Sequence, residues 1–314
     1  MLARLQQFTT VSLLIAAAVW AAWFVDAGRP AWAVMGALLI VFGYALFLAV
    51  EFVLVWFVHG DDPAPKASAG QLFKAWVGEV LTAPRVFCWQ QPFRSNSEPD
   101  FLPSQPGRRG VVLVHGFVCN RGFWNRWAPR LREQGVPFIA VSLEPVFGTI
   151  SDYAPIVDQA VRRIEQATGL TPVVVGHSMG GLAIRAWLAA FGGLERAHHV
   201  VTIGSPHRGT WLGRFGTSQN AREMAMGTDW QRALEAREST LDAARFTCFY
   251  SHCDNIVFPA SNATMPGADN RHVTGIAHVH MMDHPEVLKE VLAWTTGPLS
   301  VASGKASVDA LPAR

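Results

Sequence analysis

The stretch that most limits how this 314-residue chain can fold is Thr171-Pro172-Val173-Val174-Val175-Gly176-His177-Ser178-Met179-Gly180-Gly181-Leu182. Its first half is apolar and β-forming, as in a strand buried on both faces. The residues after it, Leu182-Ala183-Ile184-Arg185-Ala186-Trp187-Leu188, have helical character. Between the two, Gly-x-Ser-x-Gly puts Ser178 on a tight strand-to-helix turn. Side chains at the flanking glycines would collide with the neighbouring strand and helix. Such a turn lifts the hydroxyl above the sheet, and the helix N-terminus brings N–H groups and partial positive charge to the same spot. The short motif alone is common by chance, and its bland reading is a glycine-rich turn with an incidental serine. The strand before it and the helix after it supply the context that the motif demands.

From Gly110 onward, apolar strands alternate with amphipathic helices, the pattern of a mainly parallel sheet covered on both faces. Strands are expected at Val111 to Val114, Phe138 to Ser142, Pro172 to Val175, His199 to Ile203, Phe246 to Ser251 and near Val273. Helices are expected at Arg121 to Gln134, Ser151 to Thr168, Met179 to Phe191 and Pro285 to Thr295. The four cysteines, Cys88, Cys119, Cys248 and Cys253, lack a framework spacing, so no disulfide scaffold is expected. Cys248 and Cys253 read as buried small apolar residues. A formal net charge of +2 without any Lys/Arg run gives no footing for a nucleic-acid partner.

Half the residues are hydrophobic and 16% are charged, more apolar than an ordinary soluble domain. Much of the excess lies in two runs, Thr9 to Val25 and Ala31 to Val58, separated by Asp26-Ala27-Gly28-Arg29-Pro30. Each is long enough for a hydrocarbon core of about 30 Å, the first near the lower limit. Gly28 and Pro30 break the helix between them, which predicts a transmembrane hairpin over 1–60. The competing reading is a secretory signal, with Arg4 before the apolar stretch and Ala31-Trp32-Ala33 as a cleavage site; the second run would still remain as an anchor. Glu51, inside the second run, is expected to snorkel or to face the partner helix. The flanks carry Arg4, Lys66, Lys74 and Arg85 against Asp61 and Asp62, a basic excess that favours a cytoplasmic enzyme domain. Residues 61–109, rich in Pro, Ser and Gly, read as a spacer with a helical patch at Leu72 to Val80. Residues 299–314 read as a disordered tail.

A serine hydroxyl is a poor nucleophile at neutral pH; it needs a base to take its proton and a carboxylate to orient that base. Asp254, in Tyr250-Ser251-His252-Cys253-Asp254, closes a predicted strand at its carboxyl end and is the candidate acid; its bland reading is a turn residue. Gly275-Ile276-Ala277-His278-Val279-His280-Met281-Met282-Asp283-His284 offers three histidines. His278 is preferred as the base, His280 is the alternative, and His284 reads as a helix-start residue. The cluster could also be read as a metal site, but its spacing fits no common zinc pattern, and no cofactor or metal is expected. The amides of Phe117, after the first strand, and of Met179 are the candidate oxyanion donors. His115 reads as a structural hydrogen-bonding residue.

His115-Gly116-Phe117, Gly176-His177-Ser178-Met179-Gly180-Gly181, Gly204-Ser205-Pro206-His207-Arg208-Gly209-Thr210 and Ala277-His278 together resemble the bacterial triacylglycerol lipases and related esterases of the α/β-hydrolase superfamily. The resemblance covers roughly Gly110 to Gly297 and implies an α/β-hydrolase fold over 110–298. It also implies hydrolysis of carboxylic esters with medium or long acyl chains, through an acyl-enzyme on Ser178. Thr210 to Ala244, rich in Trp, Met and Arg, falls where such enzymes insert a cap, although an amphipathic helix on the sheet explains its apolar residues as well. Two departures stand out. The acidic residue that calcium-binding relatives carry after the catalytic histidine is missing, and the amino-terminal hairpin is foreign to the secreted lipases. The hairpin favours a cellular lipid or small-ester substrate at a membrane. Acyl transfer to an alcohol or amine would use the same residues, and a non-catalytic binding module is the third reading.

Overall fold

The computed structural model describes residues 1–103, 107–238 and 242–296. The tail expected at 299–314 lies outside the described residues. Six strands, β1 (Val111–Val114), β2 (Phe138–Ala140), β3 (Val173–His177), β4 (His199–Ile203), β5 (Phe246–Tyr250) and β6 (Asp269–His272), form one sheet in the order β2-β1-β3-β4-β5-β6. Every neighbouring pair is parallel. The strands occur where the apolar runs place them; β3 continues through Gly176 and His177 up to Ser178, and the last strand ends just before Val273.

The continuous valines of β1 and β3 are a consequence of burial on both faces. Alternate residues point to opposite sides. Val112, Val114 and Val174 meet Leu182, Ile184 and Trp187 on one face, while Val111, Leu113, Val173 and Val175 meet Trp124, Trp127, Val287 and Val291 on the other. The Met179–Phe191 and Pro285–Thr295 helices keep their expected bounds. The other two begin as 3₁₀ turns, Arg121–Arg126 before Trp127–Glu133 and Ile150–Tyr153 before Ala154–Thr168. From β2 the chain crosses back past β1 to β3, so the carboxyl ends of β1 and β3 flank the switch point where open α/β sheets place ligands.

At the amino end, α1 (Leu2–Asp26) and α2 (Pro30–Val58) form the hairpin, turning at Ala27, Gly28 and Arg29. Their most apolar windows are only 6% and 17% buried, which sets them apart from core helices; both are long and apolar enough to cross a membrane. They touch closely. A Cβ on Gly36 would sit 1.9 Å from the Trp20 indole, whose N–H donates to the Trp32 carbonyl at 2.9 Å. The open end of the hairpin is fastened to the sheet domain through buried Leu2, Gln6, Glu51, Phe52 and Val55.

The helical patch expected at Leu72 to Val80 is a 16-residue helix, α3 (Ala69–Pro84), started by a capping box between Ser68 and Gln71. It continues into a π-helical turn at Arg85–Gln90. Two cross-links tie α3 to α2: Tyr44 Oη donates to the Val80 carbonyl and Trp76 Nε1 to that of Ala45, each at 2.9 Å. The segment after Thr210 folds as a 3₁₀ turn (Trp211–Phe215) and two short helices (Gln219–Glu223, Asp229–Arg237). Trp211 stacks on Phe258.

On the far side of the Met179–Phe191 helix, Arg185 is buried with Glu238, Nη2 to Oε2 at 2.5 Å, and also donates to the His207 carbonyl at 2.8 Å. Removing one partner of a buried pair strands the other charge. Arg185→Met is therefore expected to destabilise the protein by about 3–5 kcal/mol, seen as a lower thermal midpoint in detergent; an unchanged midpoint would count against this role for the pair.

Candidate active site

Ser178 stands at φ 55 and ψ −129, a backbone conformation that non-glycine residues rarely adopt. The strain is held from both sides. Its N–H donates to the Ile203 carbonyl at 2.8 Å, and its own carbonyl accepts from Gly181 at 3.0 Å. Two glycines make room for the turn: a Cβ on Gly180 would lie 2.4 Å from the Val114 carbonyl oxygen, and one on Gly116 would lie 2.8 Å from Ser178 Cβ. Met179 opens the following helix, so its N–H has no intrahelical acceptor. Gly116, Phe117 and Ser178 line one cavity of about 700 Å³, which His278 also enters.

Of the three candidate histidines, it is His278 that the fold brings to Asp254, Nδ1 to Oδ2 at 2.9 Å with both side chains buried. Asp254 Oδ1 accepts from the Ile256 and Val257 amides at 2.9 and 2.8 Å, which fixes the carboxylate and aims the other oxygen at His278. Burial lowers the His278 pKa, but the Asp254 charge and hydrogen bond, with Glu79 and Glu51 adding at longer range, raise it overall above the ordinary histidine value. His280 instead lies against α3, where a Cβ on Gly78 would come 2.4 Å from its Nδ1. Asp283 is held by Arg85 and Arg126, and His284 stands at the start of the final helix without a side-chain capping bond.

The neighbouring groups are poor competitors for the chemistry. Burial pushes His115 down to about 4. Its Nε2 accepts from the Leu143 amide at 2.9 Å, so Nδ1 carries the proton and donates to the Gly116 carbonyl, also at 2.9 Å. This is the structural role expected of it. His177 is likewise held neutral by burial and donates through Nε2 to the His278 carbonyl at 3.1 Å. Cys119 reaches the cavity, but burial pushes its thiol up to about 12, far from a reactive thiolate. All four cysteines are free; Cys119, Cys248 and Cys253 are buried and Cys88 is exposed.

Sequence reasoning missed the supports behind His278. Glu79 of α3 accepts the Val279 and His280 amides at 3.1 and 3.0 Å. Glu51 of α2 accepts from Asn255 Nδ2 at 2.6 Å, and Asn255 Oδ1 accepts the His278 N–H at 3.2 Å. One signal could have found Glu79: it falls in register with Leu72, Ala75 and Thr82 on the buried face of α3. Glu51 is thus turned into the enzyme, toward Asn255. Among the described residues of 210–244, none lines the cavity.

The sequence profile of the alpha/beta hydrolase family matches residues 111–298, more than half of the chain. The chain belongs to the alpha/beta hydrolase family. No curated protein matches it at the level of sequence. Among solved structures, it is similar to the mature form of the Bacillus licheniformis lipase BlEst2, with a TM-score of 0.54 and 16% identity, covering 63% of this chain and 96% of that one. The propeptide form of the same lipase gives 0.53 and 17%, over 64% of this chain and 53% of the other. Aspergillus fumigatus lipase B gives 0.46 and 17%, over 69% and 56%. At these identities the likeness is one of fold.

Burial raises the Glu79 carboxyl from 4.5 to about 7, against the opposing pull of the Val279 amide. The folded protein therefore holds this proton more tightly than the unfolded chain. The stability that it contributes is complete below the unfolded value and is lost as pH rises through the folded one. Between pH 4.5 and 7, wild type is expected to lose about 3 kcal/mol relative to Glu79→Gln. Thermal or urea unfolding of the two proteins across that range checks this, and parallel curves would contradict it.

Proposed function

We propose that this alpha/beta hydrolase is a membrane-anchored serine hydrolase that cleaves carboxylic esters. The observation that carries the reading is the strained Ser178 sharing a cavity with His278, whose Nδ1 is bonded to buried Asp254. With Nδ1 donating to Asp254, the other ring nitrogen of His278 is free to act as base. It takes the Ser178 proton as Oγ attacks the ester carbonyl, and the oxyanion that forms is met by the Phe117 and Met179 amides. His278 then gives the proton to the leaving alkoxide, leaving an acyl-Ser178. Water, deprotonated by the same histidine, releases the acid. The Bacillus licheniformis lipase of similar fold supports an ester as the substrate, and the apolar hairpin beside the serine supports a lipid-like one. No step requires a metal or an organic cofactor.

The hairpin reads as the anchor, with its turn across the bilayer from the enzyme. The basic flank of Arg4, Lys66, Lys74 and Arg85 argues for the enzyme on the cytoplasmic face of a bacterial inner membrane. A cysteine introduced at Gly28 should then react with an impermeant thiol reagent added outside intact cells; reaction only after lysis would reverse the orientation.

A fluorophosphonate probe should label wild type and not Ser178→Ala, and an unlabelled wild type would refute the nucleophile. The base must be neutral to work, so kcat/KM should rise with pH through a value above that of an ordinary histidine. Asp254→Asn should lower the rate by about 10⁴ and move this limb to lower pH, since the carboxylate that raises His278 is gone. A limb that stays in place would exclude His278 as the titrating base.

A further inference from the structure

The hairpin builds nearly half of the cavity at Ser178. Of its 25 lining residues, eleven belong to α1 and α2, from Thr10 to Leu14 and from Ile40 to Glu51. Ser178 and His278 line it too, with Asn255 linking Glu51 to the His278 amide and Glu79 holding the next amide. Leu13, Leu14, Phe42 and Phe47 line the cavity, and they are 46%, 56%, 53% and 66% exposed. One wall of the cavity is thus made of apolar side chains from two helices that are long and apolar enough to cross a membrane. A volume of about 700 Å³ lies within the range of roughly 300–1,000 Å³ that encloses a whole small ligand. Among the described residues, no Lys or Arg lines it, while two carboxylates do.

We infer that α1 and α2 form the acyl-chain site of the enzyme, and that a lipid ester passes from the bilayer sideways between them to Ser178. This rests on the ester-hydrolase reading above. The chain lies against Leu13, Leu14, Phe42 and Phe47 and leaves hydrocarbon without passing through water. The ester carbonyl stops at Ser178. The lack of cations favours an uncharged headgroup over a phosphate. The hairpin is then a specificity element as well as a tether.

Gly43 lines the cavity, and a Cβ there meets only a Leu39 methyl at 4.0 Å, so a larger side chain can grow into the space. In phosphatidylcholine vesicles holding the full-length protein, Gly43→Phe should lower the ratio of kcat/KM for a sixteen-carbon diacylglycerol to that for a soluble butyrate ester by at least tenfold. Leu38→Trp, on the lipid-facing surface outside the cavity, should leave that ratio within twofold of wild type. Wild type should also cleave the diacylglycerol at least tenfold faster in its own bilayer than in separate vesicles, a measurement that depends on no variant folding. Equal rates from both vesicle populations, or an unchanged ratio in a Gly43→Phe protein that still takes a fluorophosphonate, would overturn the inference and leave the hydrolase reading intact. Loss of both ester activities in wild type would instead strike at the hydrolase reading itself.

Discussion

The buried chain from Glu51 to Asn255 to the His278 amide is the constraint on which the arrangement of this protein turns. A carboxylate on an apolar helix needs a strong partner, because burial without one is far more costly than an ordinary lost hydrogen bond. Asn255 supplies it through Nδ2 and spends its other polar atom on the His278 backbone. One side chain therefore fixes two things at once. It sets how α2 sits on the sheet domain, and it sets where the loop carrying His278 lies relative to Asp254 one residue earlier.

The other loops around the cavity are held by the same amino-terminal elements. Glu79 of α3 takes the next two amides after His278, so three successive N–H groups of that loop end on groups supplied or fixed from α2 and α3. Between Phe117 and Cys119, which line the cavity, Val118 adopts φ 52, an outlier for a β-branched residue. Gln6 of α1 donates to the Val118 carbonyl at 3.3 Å and to Gln91 at 3.1 Å, while Asn120 donates to the Gln91 carbonyl at 3.1 Å. Strain of this kind persists only where the surroundings over-determine it. Here the surroundings include the first turns of α1.

Legibility in the sequence followed the range of the forces involved. Strands β1 and β3, the Met179–Phe191 helix and the turn at Ser178 are set by local patterns of burial, glycine and helix start, and they lie where those patterns place them. The hairpin was equally legible, since length and apolarity alone define it. The pairing of His278 with Asp254 needed more, because chain order leaves three histidines in reach and only the fold turns His280 onto Gly78. The roles of Glu51 and Glu79 could not be read from composition. Their partners stand about 200 residues away, at 204 positions for Asn255 and 200 for Val279. The Pro, Ser and Gly around α3 suggest a spacer, and a capping box hides inside that composition.

The same contacts decide what the amino-terminal segment is to the enzyme. A simple tether could be cut without disturbing the site, because nothing in the site would lose a partner. Here, taking α1 and α2 away would strip Asn255 of its carboxylate, leave Val118 without the Gln6 contact and open one wall of the cavity to water. Water in that space would weaken every electrostatic interaction around His278, since charges in contact with solvent are screened many times more than charges in a dry interior. The proposed chemistry needs Asp254 to act on His278 at full strength and needs the oxyanion to meet amides instead of solvent. The hairpin meets both needs by closing the side of the sheet domain on which Ser178 opens, so the apolar hairpin and the hydrolase domain of this chain are one structural unit.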